Sequence, residues 1–293
     1  MNDAMTQAEE PKRRKRHAAE LAAAKGGQPL VMLALYDAVM ARLAEAAGID
    51  MILVGDSVGT VMLGLDSTAP VTLDQIIHHA IGVRRGAPKT HIVADLPFMT
   101  YQVSDEQAVA SAGRVLKEAG VDAVKLEGGV AMASRIAAIT RAGIPVMAHI
   151  GLLPQTASAH GGYRVQGRDV ASARQMLDDA RAVEAAGAYA VVLELVPYEL
   201  AARVTSAVGI PTIGIGAGSA CDGQVLVSSD LLGMDPAFHP RFLKKYANLA
   251  ETIQGAFAEY AREVRGGIYP GLEHVTKLPA ETLAALDTPE RPE

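Results

Sequence analysis

Five acidic or imidazole side chains close five successive apolar runs: MILVGD at Asp56, HIVAD at Asp95, AVKLE at Glu127, PVMAH at His149 and AVVLE at Glu194. A charge at the end of one buried strand after another is costly unless those ends converge on a ligand. Three carboxylates on neighbouring strand ends can hold a hard divalent cation, and a fourth, further round, is free to act as a base. Glu194 follows four apolar residues, so partial desolvation would raise its pKa towards that of a useful base. Lys125 and Glu127 stand at i and i+2 and share one face of a strand. Facing inward, Lys125 would meet an anionic substrate and Glu127 the metal; facing outward, they would form a surface ion pair. Ser57 sets a hydroxyl beside Asp56. Taken alone, Asp56 and Asp95 read equally well as turn caps, and His149 as a structural histidine. The recurrence at strand ends is what points to an enzyme.

The elements that must carry these residues are also visible. A small residue plus Gly closes a helical stretch just before each of several apolar runs, at Ala47-Gly48, Ala119-Gly120, Ala142-Gly143, Ala186-Gly187 and Val208-Gly209. Gly suits the left-handed position that ends a helix, and two-sided apolar runs suit parallel strands buried on both faces. Helical faces are expected along Met40, Leu43 and Ala47, along Ala108, Ala112, Val115 and Ala119, and along Leu200, Val204 and Ala207. Ser104 with Gln107 suggests a capping box. Eight strands follow: Val31–Leu35, Met51–Gly55, His91–Asp95, Ala123–Glu127, Pro145–His149, Ala190–Glu194, Pro211–Ile215 and Gln224–Val227. Strands and helices alternating at this count predict a (β/α)8 TIM barrel, whose active site lies at the C-terminal strand ends. An N-terminal capping helix should close its bottom, and a helical C-terminal extension should carry an apolar stripe of Leu249, Ile253, Phe257, Tyr260 and Val264. The domain reading is a basic tail and start of the capping segment over 1–25, one catalytic barrel with C-terminal helices over 26–275, and a tail over 276–293.

The chain has 293 residues, 49% of them hydrophobic, and a net charge of −6. It can bury one large core, and it lacks the basic bias of a nucleic-acid binder. No run of about 18 apolar residues suggests a membrane span. A single cysteine, Cys221, excludes an internal disulfide and reads as a packed small side chain in a cytoplasmic protein. The basic run from Lys12 to Arg16 lacks the apolar stretch of a secretory signal, and Glu9 and Glu10 argue against a transit peptide.

Glycines flank the candidate residues. Gly55 and Gly59 would let the backbone approach a ligand, and Gly128-Gly129 would leave room for one. GIGAG at 214–218 resembles a phosphate loop, but Ser219 stands where the dinucleotide motif needs Gly. A glycine-rich strand end admitting a bulky ligand is the expectation. His78 and His79 are adjacent on a helix and diverge, so they are expected to serve packing or surface roles.

Longer stretches resemble the ketopantoate hydroxymethyltransferase family: YDAVMARLAEAAGID, VGDSVGTVMLGLDSTAPVTLDQIIHH, VRRGAP, VADLPF, AVKLEGG, HIGLLPQ, GGYRVQGR, LELVP, IPTIGIGAG, CDGQVLV and GIYPGLEH. They run from about Gly26 to His274. The resemblance implies a (β/α)8 barrel assembled as a decamer of two pentamers, using Mg2+ and 5,10-methylenetetrahydrofolate. It implies metal positions at Asp56, Asp95 and Glu127, keto-acid contacts from Ser57 and Lys125 with Asp56 and Asp95 lining the same pocket, a supporting His149, and Glu194 as proton acceptor. The reaction implied is hydroxymethyl transfer to 3-methyl-2-oxobutanoate, giving 2-dehydropantoate for pantothenate synthesis. A 2-oxo acid can chelate Mg2+, which stabilises the enolate formed on loss of the C3 proton, and the enolate then attacks the one-carbon unit. One or two of the carboxylates should bind Mg2+ through water. Ala34, Ala69, Ala148 and Leu153 depart from the usual family pattern; none of them is a metal position or the base, but each could alter folate affinity or acyl-pocket shape. Two rivals are a Mg2+-dependent barrel of the phosphoenolpyruvate mutase or isocitrate lyase type, whose lyases carry a K-x-C-G-H motif absent here, and a non-catalytic metabolite-binding barrel.

Overall fold

Eight parallel strands close into a barrel in chain order. In this computed structural model, which describes residues 14–286 apart from the side chains of 159 and 160, they are β1 (Leu30–Ala34), β2 (Met51–Val54), β3 (His91–Asp95), β4 (Ala123–Glu127), β5 (Val146–Gly151), β6 (Ala190–Glu194), β7 (Thr212–Ile215) and β8 (Gly223–Val227). β3, β4 and β6 have the expected bounds, and the others shift by a residue or two. β5 extends past His149 to Gly151.

The outer layer comprises α2 (Ala38–Ala46), α3 (Val58–Val61), α4 (Leu73–Gly86), α5 (Asp105–Ala119), α6 (Ala133–Arg141), α7 (Val170–Ala185) and α8 (Tyr198–Ala207), preceded by α1 (Ala18–Ala22). Among the described residues no helix joins β7 to β8. The chain instead ends in α9 (Ser228–Leu231), α10 (Leu249–Arg265) and α11 (Ala280–Leu286). None of these helices is long and apolar enough to cross a membrane. Residues 1–13 of the basic tail and 287–293 of the C-terminal tail lie outside the described residues, Glu9, Glu10 and Lys12 among them.

α5 buries Ala108, Ala112, Val115 and Ala119 and stops at Gly120 with φ +67°. Its capping box is half formed. Ser104 accepts from the Gln107 N–H, but the Gln107 side chain accepts from Val103 instead of Ser104. The face expected for α2 is not the buried one: Ala41 and Ala44 are buried, whereas Leu43 is 60% exposed. α2 lies so close to α4 that a Cβ on Gly86 would stand 2.2 Å from Ala38 O, and that approach selects the face with the smallest side chains. Of the helix-ending glycines, Gly48, Gly120, Gly143 and Gly187 are left-handed, and Gly209 is not.

Strand alternation divides the core. Ile52, Val54, Ala94, Val124, Leu126 and Ala148 pack outward against the helices. Met32, Met51, Leu53, Val93, Ala123, Met147, Ala190, Val192 and Ile213 fill the interior, with Leu21 of α1 in the same cluster. At the bottom His91 Nε2 lies 3.1 Å from Tyr189 Oη and its Nδ1 3.1 Å from Arg16 O, while Lys25 pairs with Asp222 at 2.8 Å. The capping segment is thus tied to the barrel, as expected. Two steps above Val93, Ala123, Met147 and Val192, the same inward rows end in Asp95, Lys125, His149 and Glu194, and Glu127 follows Lys125 on β4.

Candidate active site

Register brings the polar ends together. Asp95 is level with Lys125 across β3 and β4, Glu127 with His149 across β4 and β5, and Gly151 with Glu194 across β5 and β6. Lys125 Nζ lies 2.8 Å from Asp95 Oδ1 and 3.2 Å from His149 Nδ1. His149 Nδ1 is 3.7 Å from Glu127 Oε1, and its Nε2 is 3.3 Å from Glu194 Oε2 without a well-aligned hydrogen bond. Lys125 and Glu127 therefore both face inward. Asp56 sits just past β2, in the turn before α3, where its N–H donates to Asp95 Oδ2 at 3.0 Å. Ser57 joins through its hydroxyl, 2.7 Å from Tyr36 Oη.

Burial makes this a high-stakes cluster. Asp56, Asp95, Lys125, Glu127 and His149 are each 5% exposed or less. Burial, reinforced by Asp95, pushes the Asp56 carboxyl up to about 7. Burial and then Asp56 raise Glu127 well above the usual carboxylate range. For Lys125, burial works against the ammonium, but Asp95, Glu127 and Asp56 outweigh it and its pKa is raised. Burial and the Lys125 charge lower His149, which keeps the ring neutral. With Nδ1 facing the ammonium, the ring proton belongs on Nε2, towards Glu194. Glu194 is the most open member, its side chain 18% exposed.

The donor set suits a divalent cation. Asp56, Asp95 and Glu127 act on the Lys125 ammonium, Glu194 lies beyond His149, and Glu127 Oε1 is buried with no hydrogen-bond partner. Among the described residues, no three His, Cys, Asp or Glu side chains close into a cage of direct ligands. The hydrogen bonding explains this: Asp95 is engaged by Lys125 and by the Asp56 N–H, and Asp56 Oδ2 by Gln155. Such a pocket fits an ion that keeps several waters, as Mg2+ does, rather than one needing an all-protein shell.

Three contributing residues were not singled out in the sequence: Tyr36 beside Ser57, and Tyr101 and Gln155 beneath Asp56 and Glu127. Gln155 closes the stretch HIGLLPQ, so its position was visible although its role was not. No periodicity marks Tyr101.

The glycine readings need correction. A Cβ on Gly55 would stand 2.9 Å from Ser57 Oγ, one on Gly59 2.6 Å from Val71 Cγ2, one on Gly128 2.6 Å from Met132 Cγ and one on Gly129 2.0 Å from Asp179 Oδ1. These glycines make room for the protein's own side chains and not for a ligand. In GIGAG, Cys221, Leu195 with Phe242, and Tyr198 fill the space over Gly214, Gly216 and Gly218. Cys221 is buried and unbridged, as expected. His79 packs through a 2.8 Å contact with Tyr36 O. Of the departures from the family pattern, Ala148 packs outward with the helix layer and Ala34 inward, in the barrel interior.

Residues 15–272 match the family model described as ketopantoate hydroxymethyltransferase. Among curated relatives, the 3-methyl-2-oxobutanoate hydroxymethyltransferase of Heliobacterium modesticaldum is 54% identical over 250 residues, 85% of this chain and 91% of that protein. That of Moorella thermoacetica is 54% identical over 251 residues, 86% of this chain and 93% of that protein. Among solved structures, a phosphoenolpyruvate phosphomutase from Streptomyces platensis subsp. rosaceus superposes with a TM-score of 0.57 at 21% identity, covering 92% of this chain and 95% of that one. A 2,3-dimethylmalate lyase superposes at 0.56 and 20% identity, covering 92% and 93%. At these identities the two structures share the barrel and nothing finer. The match over nearly the whole barrel, with relatives more than half identical, decides between the readings: this chain is an enzyme of the ketopantoate hydroxymethyltransferase family.

Proposed function

We propose that this enzyme transfers a hydroxymethyl group from 5,10-methylenetetrahydrofolate to 3-methyl-2-oxobutanoate, giving 2-dehydropantoate. The observation that carries the reading is the row Asp95, Lys125, His149 and Glu194 across four neighbouring strand ends, with successive polar atoms 2.8, 3.2 and 3.3 Å apart, beside Asp56 and Glu127. It supplies a cation-seeking carboxylate group, a fixed positive charge and a base within one pocket.

Asp56, Asp95 and Glu127 would hold Mg2+, some of them through water. Bound there, Mg2+ would supply Lewis acidity that makes the C3 proton of a 2-oxo acid easier to remove. Lys125 and Ser57 hold the substrate carboxylate and the charge that develops on the keto oxygen. Glu194 takes the C3 proton. His149, neutral and wedged between Lys125 and Glu194, orients that base, and the 3.3 Å gap tightens when substrate excludes water. The electron pair left at C3 forms the new carbon–carbon bond to the one-carbon unit. Water supplies the hydroxyl oxygen as both carbon–nitrogen bonds of the methylene bridge break, and tetrahydrofolate leaves. C3 becomes quaternary, so the product has no C3 proton through which the new hydroxyl could be eliminated as water.

The small-molecule keto acid and folate are the partners. The chain also associates with copies of itself, a reading supported by Phe257, Tyr260 and Val264, which α10 leaves 69%, 59% and 46% exposed. The family resemblance makes that assembly a decamer. Purified protein incubated with 3-methyl-2-oxobutanoate, methylenetetrahydrofolate and Mg2+ should form 2-dehydropantoate, detected by mass spectrometry. Absence of product from folded protein would remove the assignment.

A further inference from the structure

The loop after β5 drops Gln155 between the ends of β2, β3 and β4. Its main-chain N–H donates to Glu127 Oε2 at 3.1 Å, and its side-chain Nε2 donates to Asp56 Oδ2 at 2.9 Å and Leu96 O at 3.0 Å. Its Oε1 accepts from the Tyr101 hydroxyl at 2.7 Å. That hydroxyl in turn accepts from the Glu127 N–H at 3.1 Å. Gln155 is 4% exposed and Tyr101 1%.

The directions in this circuit are forced. A backbone N–H can only donate, so the Tyr101 oxygen accepts from Glu127. The hydroxyl proton then points to Gln155 Oε1, the nearer of its two acceptors, with Glu127 O at 3.2 Å. With Oε1 committed, the amide NH2 must face Asp56. A flipped amide would oppose an oxygen to Asp56 Oδ2 and to Leu96 O, and would leave the hydroxyl proton only the more distant Glu127 O. One residue thus ties down one oxygen of Asp56 and one of Glu127. The other oxygen of Glu127, Oε1, is buried without a hydrogen-bond partner, as are Asp95 Oδ1 and His149 Nε2 in the same pocket. A glutamine that merely filled space would have no need of a directional circuit ending on two carboxylates.

We propose that Gln155, locked by Tyr101, is a positioning residue that fixes how Asp56 and Glu127 present their free oxygens to a divalent cation. This rests on the reading of the pocket as a Mg2+ site. Both residues are buried and act through the two carboxylates, as groups that orient metal ligands do.

The test is calorimetric titration of the full-length protein with Mg2+ alone, beside thermal unfolding of each variant. Tyr101→Phe removes one oxygen, and Gln155→Met removes the amide at similar volume. Each should weaken Mg2+ binding by about 10- to 100-fold, the usual scale for losing such an orienting partner. The double variant should bind about as weakly as the weaker single, because the two residues act as one unit. Ser111→Ala serves as the structural control. It removes a 2.7 Å hydrogen bond to Thr100 O in the β3–α5 loop that carries Tyr101, and should lower the unfolding temperature without changing Mg2+ affinity. Wild-type affinity in folded Tyr101→Phe, or strictly additive losses in the double variant, would overturn the proposal. So would absence of Mg2+ binding by the wild-type protein. A wild-type protein that binds Mg2+ but makes no 2-dehydropantoate would defeat the proposed reaction alone, and the affinities of the variants would still decide the role of Gln155.

Discussion

The balance of charge in the barrel mouth governs what single residues do. Four carboxylates cannot stay ionised side by side in a buried pocket with one ammonium, and protons on Asp56 and Glu127 relieve the excess in the metal-free protein. Because the Asp56 carboxyl is raised from 3.8 to about 7, its neutral form contributes stability that is complete below the lower value and lost as pH rises to the higher one. A cation must displace the same protons. Apparent Mg2+ affinity should therefore increase as pH rises through about 7, with proton release visible as a buffer-dependent enthalpy. Equal affinity at pH 6 and pH 8 with no proton release would contradict this distribution of charge. Glu194 lies outside the buried carboxylate pair. Glu194→Gln should leave Mg2+ binding intact and lower turnover by at least about a hundredfold, the scale of a lost general base. A near-normal rate would remove Glu194 from that role.

At the scale of elements, strand ends place the charged groups and loops refine them. Gly151 ends β5 with φ +97°, and a Cβ there would meet Glu194 O at 2.3 Å. Gly151→Ala should push the end of β6 away from His149 and lower turnover by up to about a hundredfold, since displacements near 1 Å cost that much. It should also lower the unfolding temperature, because the left-handed backbone is strained for alanine. Unchanged kinetics would mean that the β5–β6 contact does not set the position of the base. Much of this level was legible in the sequence. The strand period puts Lys125 and Glu127 on one face, and pairing with β3 and β5 turns that face inward. Loop residues carry no such period. Tyr101 and Gln155 meet only because three strand ends converge. The buried face of α2 depends on how closely α4 approaches, which no local pattern encodes. The glycines are ambiguous for a related reason: a missing side chain does not reveal whether protein or ligand fills the space.

For the whole molecule, the barrel accounts for the site, while α10 buries none of its residues against it. Among the described residues, the stripe read from the sequence is half-buried at Leu249 and Ile253 and exposed at Phe257, Tyr260 and Val264. An association that covers it should give a native mass several times the 30.6 kDa of the chain. Phe257→Glu combined with Tyr260→Glu should shift light scattering towards smaller species and leave the circular dichroism of the barrel intact. A wild-type protein that runs as a monomer at micromolar concentration would contradict the association.

The most direct measurement is exchange at C3 of 3-methyl-2-oxobutanoate in D2O, followed by proton NMR without folate. The pocket described here should wash out the C3 proton and collapse the methyl doublet to a singlet, only with Mg2+ present and not with Glu194→Gln. An enzyme that forms 2-dehydropantoate yet shows no Mg2+-dependent exchange, or exchanges equally well without Glu194, would contradict the assignment of metal and base to this barrel mouth.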